Sequence, residues 1–169
     1  GYQVALNRSE MLNLNAEKPI LGVFHNDGLP YAIDRAQSDT LKATTPTLAE
    51  ITQKAIDIMQ KNPNGFVLQV ESGKVDWAAH ANDISALIGE QIQFDDALKV
   101  AIDFAEKDKN TLVVFTTDHG NAAPALLSGS KANANFDKIA TFKQTNEWIL
   151  NGIDKNFTPS QIIERIEAT

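Results

Sequence analysis

The chain has 169 residues, of which 43% are hydrophobic, and this length and composition suit one domain with a substantial core. Its formal net charge of −7 argues against a nucleic-acid partner, because a phosphate backbone attracts basic surfaces. The chain has no cysteine, which excludes disulfides and thiolate metal sites, and no run near the roughly 20 apolar residues that a membrane span needs.

Strand-like and helical patterns alternate from the start of the chain. An apolar run at 19–24 predicts a strand, and the turn residues at 26–28 predict a loop after it. Residues 37–45 are polar and are interpreted as a connection. A helix is then expected to begin at Pro46 with Thr45 as its cap, and to end at 62–65. One face of this helix is apolar and consists of Leu48, Ile51, Ala55 and Ile58.

Two further apolar runs, at 66–70 and 112–116, are predicted strands on either side of a long helix at about 84–107. Gly89 is a candidate break in that helix. The order strand, helix, strand, helix, strand is typical of an α/β fold with a mostly parallel sheet flanked by helices. We therefore predict a single domain over 1–169.

The end of the chain has a different character. Residues 1–124 form the predicted sheet-core region, and 125–169 are expected to hold a loop and the C-terminal helices. Small polar residues at 128–135 predict the loop, which is followed by a helix at about 136–150 and a second one after Thr158.

Polar clusters follow the ends of two predicted strands. Glu71, Asp76 and His80 come after the 66–70 run, and Asp118 and His119 come after the 112–116 run. Ligands bind outside the carboxyl ends of strands in an open parallel sheet. Carboxylate oxygens and imidazole nitrogens suit zinc or magnesium, so the chain is interpreted as part of a metallohydrolase.

The spacing within each cluster decides how its side chains meet. Asp76 and His80 are four residues apart and share one face of a helix, where they are expected to hold one zinc ion. Asp118 and His119 converge on one ion only if the backbone turns sharply, which Gly120 permits. Two ions about 3.5–4 Å apart clamp the attacking and leaving oxygens of a phosphoryl transfer.

Each motif alone also has a plainer interpretation. The Asp76–His80 pair is then surface decoration, 118–120 is a capped turn, and Glu71 is a helix cap. Their coincidence at the ends of two predicted strands favours the metal site.

Three aromatic residues stand outside these clusters or between their members. His25 lies among turn residues and is interpreted as a loop histidine. Trp77 has two open interpretations, as a wall of a phosphate pocket or as simple packing. Trp148 falls on the apolar face of a late helix and is expected in the core.

The stretch from about 18 to 122 resembles the alkaline phosphatases. The matching passages are specific in their order and spacing, and they are 19–24, 46–50, 64–71, 76–80, 94–97 and 117–119. The resemblance implies an alkaline-phosphatase-like fold and the hydrolysis of phosphate monoesters through a phosphoserine intermediate. It also implies a periplasmic or secreted parent protein.

The resemblance also implies roles for individual residues. The residue matching Glu71 helps to bind magnesium in this family. Those matching Asp76 and His80 bind one zinc ion, and those matching Asp118 and His119 bind the second. Trp77 falls beside the phosphate, at a position where family members vary.

Other parts of the family's active site have no counterpart in these residues. The nucleophilic serine, the aspartate shared between metals and the phosphate-clamping arginine belong upstream of Gly1, and no histidine follows His119. Each zinc ion would keep two protein ligands, where the family gives about three. We expect an incomplete alkaline phosphatase that is inactive alone and that dimerises or self-associates through exposed sheet surfaces.

Two rival interpretations stay open at this point. Cofactor-independent phosphoglycerate mutases share the spacing of 76–80 and the pattern at 118–121, although Glu71 and the passage at 46–50 favour the phosphatase. The other rival is a non-catalytic α/β fragment that binds metal weakly or not at all.

Overall fold

A computed structural model describes residues 1–15 and 17–169. Two short strands, β1 (Gln3–Ala5) and β2 (Ile20–Gly22), pair in parallel with Val4 opposite Leu21. Helix α1 (Arg8–Leu12) lies between them in the chain. The strand predicted at 19–24 is therefore confirmed in a shorter form, whereas β1 and α1 were not predicted.

Helices make up most of the remaining regular structure. In chain order they are α2 (Ala32–Gln37), α3 (Asp39–Thr44), α4 (Leu48–Met59), α5 (Gly73–His80), α6 (Ile84–Asp108), α7 (Ala132–Asp137), α8 (Asn146–Asn151) and α9 (Pro159–Glu167). A short 3₁₀ turn covers Lys138–Thr141. The interpretation of 37–45 as a connection is wrong, because the Ser38 hydroxyl accepts the Leu41 N–H and thereby caps α3.

Helix α4 begins two residues later than predicted. Its cap is Thr47, whose hydroxyl accepts the Glu50 N–H while the Glu50 carboxylate accepts the Thr47 N–H. This reciprocal capping box satisfies two backbone donors at once. The expected cap, Thr45, instead follows the end of α3, and its N–H donates to Leu41 O.

The long helix α6 is the centre of the packing, with α2, α4 and α5 in contact with it. It runs without a break through Gly89, where an added Cβ would already lie 3.9 Å from the Ile33 backbone nitrogen of α2. An alanine would make only ordinary van der Waals contact at this position, so the packing of α6 against α2 does not require the glycine. The buried cluster at this junction consists of Tyr31, Ala78 and Ala86, with Ile33 and Leu87 against it.

A buried carboxylate joins α6 to α2. Glu90 is 2% exposed, and its Oε1 accepts the Ala32 N–H at 2.5 Å, at the start of α2. Gln93 Nε2 donates to the other carboxylate oxygen at 3.1 Å. Burial raises the pKa of Glu90, and these two hydrogen bonds act against that rise.

The runs at 66–70 and 112–116, called here the two apolar segments, are not assigned as strands in the structure. In the first segment burial alternates as in a strand, because Phe66 and Leu68 are half-buried while Val67 and Gln69 are exposed. In the second segment only Val113 is half-buried. Phe66 packs against Phe104 of α6 with ring centroids 6.0 Å apart. One face of each segment is thus partly covered, and the other faces solvent.

The prediction of a mostly parallel sheet is therefore confirmed only for the β1–β2 pair. A strand needs a hydrogen-bonded neighbour, and among the described residues the two apolar segments have none of the pairings that define a sheet.

Two carboxylates hold the C-terminal part against the helices. Asp34 accepts the Thr145 N–H at 2.8 Å and the Thr145 hydroxyl at 2.7 Å, and Asp83 accepts the Asn146 N–H at 2.6 Å. Both acceptors satisfy N–H groups at the start of α8. In the part of the chain that the structure describes, no helix has the length and apolar character needed to cross a membrane.

The predicted loop at 128–135 and helix at 136–150 are partly wrong. Helix α7 starts inside the expected loop, and 138–145 separate it from α8. The helix predicted after Thr158 is confirmed as α9, capped by the Thr158 hydroxyl. Trp148 is not in the core: it is 36% exposed, and the Arg165 guanidinium lies 3.8 Å from its ring centroid.

Candidate metal-binding site

The first acid–histidine pair lies on α5, which follows the 66–70 segment. Asp76 and His80 are one helical turn apart, and Asp76 Oδ2 lies 3.5 Å from His80 Nε2. The side chains are 40% and 68% exposed. Helical spacing therefore brings a carboxylate oxygen and an imidazole nitrogen together at an accessible surface, as the sequence predicted.

The second pair follows the 112–116 segment in a compact turn. Asp118 Oδ2 lies 3.3 Å from His119 Nε2, and the His119 N–H donates to Asp118 Oδ1 at 2.9 Å. The Thr117 hydroxyl donates to the His119 carbonyl at 2.7 Å. Local hydrogen bonds therefore hold the adjacent acid and histidine so that both side chains meet.

The turn after this pair does not use glycine as expected. Among the described glycines, only Gly65 has a positive φ, so Gly120 does not supply a left-handed conformation. Ala122 and Ala123 have φ values of 56° and 44° instead. Non-glycine residues adopt this region uncommonly, so the backbone strain lies just beyond the acid–histidine pair.

Asn121 links the two pairs. Its Nδ2 donates to Asp76 Oδ1 at 2.8 Å and lies 3.4 Å from the Asp76 carbonyl, 45 positions away in sequence. Sequence reasoning did not assign a role to Asn121, although the residue closes the 118–121 pattern. Its bond brings the turn after one segment against the helix after the other.

The donor separations fit one zinc ion at each pair. Two ligands about 2.0–2.1 Å from a tetrahedral zinc lie about 3.3 Å apart, close to the 3.5 Å of Asp76–His80 and the 3.3 Å of Asp118–His119. No group of three His, Cys, Asp or Glu side chains that could hold one ion occurs within residues 1–15 and 17–169. Each pair therefore offers part of a ligand set, and Glu71 completes neither.

A cation and two rings border the first pair. Lys74 Nζ lies 4.2 Å from the ring centroid of Tyr31 and 3.9 Å from that of Trp77. Burial lowers the pKa of Lys74, while nearby acids, including Glu147 and Glu90, act in the opposite direction. Burial, with smaller contributions from those acids, also raises the pKa of Tyr31 to about 12, so its hydroxyl stays protonated.

The two remaining aromatic candidates are Trp77 and His25. Trp77 is 46% exposed, so it is not a core residue, and it contacts Lys74 on the same helix. His25 is exposed in the loop after β2, as its turn-like neighbours predicted.

Sequence comparison identifies relatives over almost the whole chain. The family model described as alkaline phosphatase matches residues 1–154. Alkaline phosphatase 4 of Bacillus subtilis is 34% identical over 165 residues, which are 98% of this chain and 34% of that protein. Alkaline phosphatase of Escherichia coli is 33% identical over 151 residues, with 78% of this chain and 32% of that protein covered.

Structural comparison agrees with the sequence relatives. The crystal structure of Thermus thermophilus alkaline phosphatase matches all of this chain with a TM-score of 0.91 at 28% identity, and this chain covers 36% of it. The chain therefore has the fold of the matching part of that structure. It spans about a third of the length of the relatives that it matches.

Proposed function

This chain belongs to the alkaline phosphatase family, and from that membership we propose that it supplies part of a two-zinc, one-magnesium centre for the hydrolysis of phosphate monoesters. The matched family and the fold support the reaction class. The assignment of individual metal ligands is our own proposal and rests on side-chain geometry.

The observation that carries the proposal is the hydrogen bond from Asn121 to Asp76 at 2.8 Å. Without it, two acid–histidine pairs separated by about 40 residues of sequence would be two local motifs. With it, the turn that holds Asp118 and His119 lies directly against the helix that holds Asp76. Two metal ions that act on one phosphate need such proximity, because they must bridge its oxygens.

Each pair has a separate role in the proposal. Asp76 and His80 would hold one zinc ion, Asp118 and His119 would hold the second, and Glu71 would contribute to a magnesium site. When bound, the zinc ions supply Lewis-acid stabilisation of charge on phosphate oxygens. Asn121 keeps one oxygen of Asp76 engaged in a hydrogen bond, which orients the other toward His80.

The two apolar segments are, in this proposal, strands of a larger parallel sheet. Their residues are apolar on both faces, as in parallel sheets that are covered on both sides. The chain supplies the helices for one face, and the remainder of an alkaline phosphatase fold would cover the other. This chain alone is expected to be inactive and to self-associate, and the complete protein is expected to be a periplasmic or secreted homodimer.

The two rival interpretations now stand differently. The family match over 1–154 favours the phosphatase over the phosphoglycerate mutase, whose motifs overlap only locally. A non-catalytic fragment that binds no metal differs from our proposal in one measurable property, the affinity for zinc.

Zinc titration tests the ligand assignment. We expect His80→Ala and Asp118→Ala each to weaken zinc binding at one of two sites by at least about tenfold, because each removes one of two protein ligands. His25→Ala is the matched control, since His25 is an exposed histidine outside both pairs. Identical isotherms for the parent and both site variants would disprove the assignment.

An activity assay tests the expectation for the 169 residues alone. After metal stripping and reconstitution with zinc and magnesium, we expect no hydrolysis of p-nitrophenyl phosphate at alkaline pH above that of Asp118→Ala purified in parallel. Activity that is present in the parent chain and lost in Asp118→Ala would show that these residues recruit a nucleophile of their own.

A further inference from the structure

Lys74 lies between two aromatic rings at the start of α5. Its Nζ is 4.2 Å from the Tyr31 ring centroid and 3.9 Å from the Trp77 ring centroid, both inside the roughly 6 Å range of cation–π attraction. Tyr31 is 5% exposed, whereas Trp77 is 46% exposed. One ammonium group therefore joins a ring that is fixed in the core to a ring at the surface.

The geometry of α5 places the stack of Lys74 and Trp77 next to the Asp76–His80 pair. Lys74 and Trp77 are three residues apart and share a face of the helix. Trp77 directly follows Asp76, and consecutive residues are about 100° apart around a helix. The indole thus borders the face that carries Asp76 and His80, and any constraint on the indole shapes the edge of that face.

The loop before α2 packs against Lys74 and Trp77. An added Cβ at Gly28 would lie 2.9 Å from Lys74 Cε and 3.3 Å from the nearest Trp77 ring atom. The loop backbone therefore packs closely against the lysine and the indole, and a side chain at this position would displace the end of the lysine. The stack is held by this packing as well as by the charge of the ammonium group.

We propose that Lys74 is a positioning residue that links the Trp77 indole to the buried Tyr31 ring through its ammonium group, so that the indole forms a fixed wall beside the Asp76–His80 pair. The inference rests on the proposed function, since only a phosphate bound at that pair would meet the wall. A side chain that is already ordered loses no further conformational entropy when a ligand binds next to it. In this proposal the lysine acts through Trp77.

Acrylamide quenching of tryptophan fluorescence tests this positioning. The chain has two tryptophans, so a Trp148→Phe background leaves Trp77 as the only tryptophan, which is excited selectively over the tyrosines. In that background, Lys74→Met should raise the quenching constant at least twofold, because the indole is released, while Lys74→Arg should restore the parent value. Lys107→Met removes the same charge from an exposed position of α6 and is the matched control.

Unchanged quenching in Lys74→Met, with the helical circular dichroism of the parent retained, would overturn the proposal. If that variant loses its helical signal, Lys74→Gln decides instead, because it removes the ammonium charge and keeps a polar side chain. Increased quenching in Lys74→Gln supports the proposal, and no increase rejects it.

A second readout separates this inference from the proposed function. Zinc with inorganic phosphate should protect Trp77 from acrylamide in the Trp148→Phe parent, and Lys74→Met should lose most of that protection. If zinc does not bind at all, the proposed function fails, while quenching without metal still reports on the stack. Equal protection in both proteins would reject the positioning role even if zinc binds.

Discussion

Two apolar regions of this molecule differ in how much of their surface is covered. Ile56 of α4, a helix that packs against α6, is 3% exposed, whereas Val67 and Leu112 of the two apolar segments are 91% and 85% exposed. Both regions consist of similar side chains, so composition does not explain the difference. The helices find their partners within these 169 residues, and the segments are covered only on the side that faces α6.

The contrast separates a buried helical layer from apolar segments that are covered on one side. In an α/β fold a sheet is packed between helices, and its strands are apolar on both faces. Here one helical layer is complete enough to bury polar groups such as Glu90 and Thr52, at 2% and 1% exposure. In the proposed function, the outer faces of the segments are the surface against which the rest of the family's fold would pack.

The largest expected effect comes from a matched pair of truncations. Ile56→Ala should lower the free energy of unfolding by about 3 kcal/mol, because it leaves a cavity at this buried position of α4. Val67→Ala should change it by less than about 0.5 kcal/mol, since the side chain is already in water. Urea unfolding followed by circular dichroism measures both, and equal costs would contradict the contrast.

Loss of the buried carboxylate should have the next largest effect. Glu90→Ala removes the acceptor of the Ala32 N–H, and we expect it to cost about 2 kcal/mol of unfolding free energy. Glu90→Gln keeps an oxygen acceptor and should cost less than half of that. If the two variants are equally destabilised in urea, the hydrogen bond to α2 is not the reason for the loss.

The pH dependence of stability gives a separate test of Glu90. Burial raises its folded pKa above the ordinary 4.5, so its contribution is present below pH 4.5 and is lost as pH rises through the folded pKa. The stability of Glu90→Gln relative to the parent should therefore improve between pH 4.5 and 7. A constant difference over this range would show that Glu90 is not ionised there or is not desolvated.

Stability is expected to change with pH in the opposite direction at Glu50, which therefore serves as a control. The hydrogen bond from Arg8 lowers the pKa of Glu50, with further help from the Thr47 N–H. Its contribution is thus present above pH 4.5 and is lost as pH falls through the lower folded pKa. Glu50→Gln should therefore lose stability relative to the parent as pH rises, in contrast to Glu90→Gln.

How much of the fold could be predicted depended on where each element finds its partners. Helices α6 and α9 were predicted from caps and apolar spacing because those signals are local. The short helices α1, α2 and α3 have five or six residues each, too few for a periodic pattern, and depend on caps and tertiary contacts. The 66–70 and 112–116 runs have the composition of strands, but pairing needs a neighbour that these residues do not provide.

The candidate site could likewise be predicted only where its contacts are local in sequence. That Asp76 meets His80 follows from helical spacing. That Asp118 meets His119 was predicted through a sharp turn at Gly120, and the two side chains do meet, although Gly120 does not take the left-handed conformation. The role of Asn121 could not be predicted, because its bond to Asp76 depends on the relative placement of two distant parts of the chain. Metal binding by these pairs stays a prediction until zinc is titrated.

A smaller effect is expected where α8 meets α9. Arg165 lies over the Trp148 ring and donates to the carbonyls of Trp148 and Ile149, and a Cβ at Gly152 would overlap its guanidinium group. Gly152→Ala should therefore cost about 1 kcal/mol through the lost stacking and carbonyl bonds. Gly129→Ala is the control, since nothing lies within 4 Å of an added Cβ there, and equal unfolding midpoints would contradict the steric argument.

The smallest effect on stability is expected at the exposed side chains of the 112–116 segment. The same change gives the sharpest test of the difference between the covered helices and the exposed segments. The double variant Leu112→Thr, Val114→Thr should change the unfolding free energy by less than about 0.5 kcal/mol, because these side chains are 85% and 76% exposed. It should nevertheless weaken self-association in sedimentation velocity, since an uncovered apolar strand surface favours pairing with other chains.

The matched control for that experiment is the double variant Leu126→Thr, Leu127→Thr. It removes two similarly exposed leucines that lie outside both apolar segments. If association depends on the strand-like face of 112–116, the control should associate as the parent does. If both double variants lose association equally, the cause is general surface hydrophobicity, and the face has no special part in it. A large loss of stability in the first double variant would instead mean that 112–116 is already covered in solution.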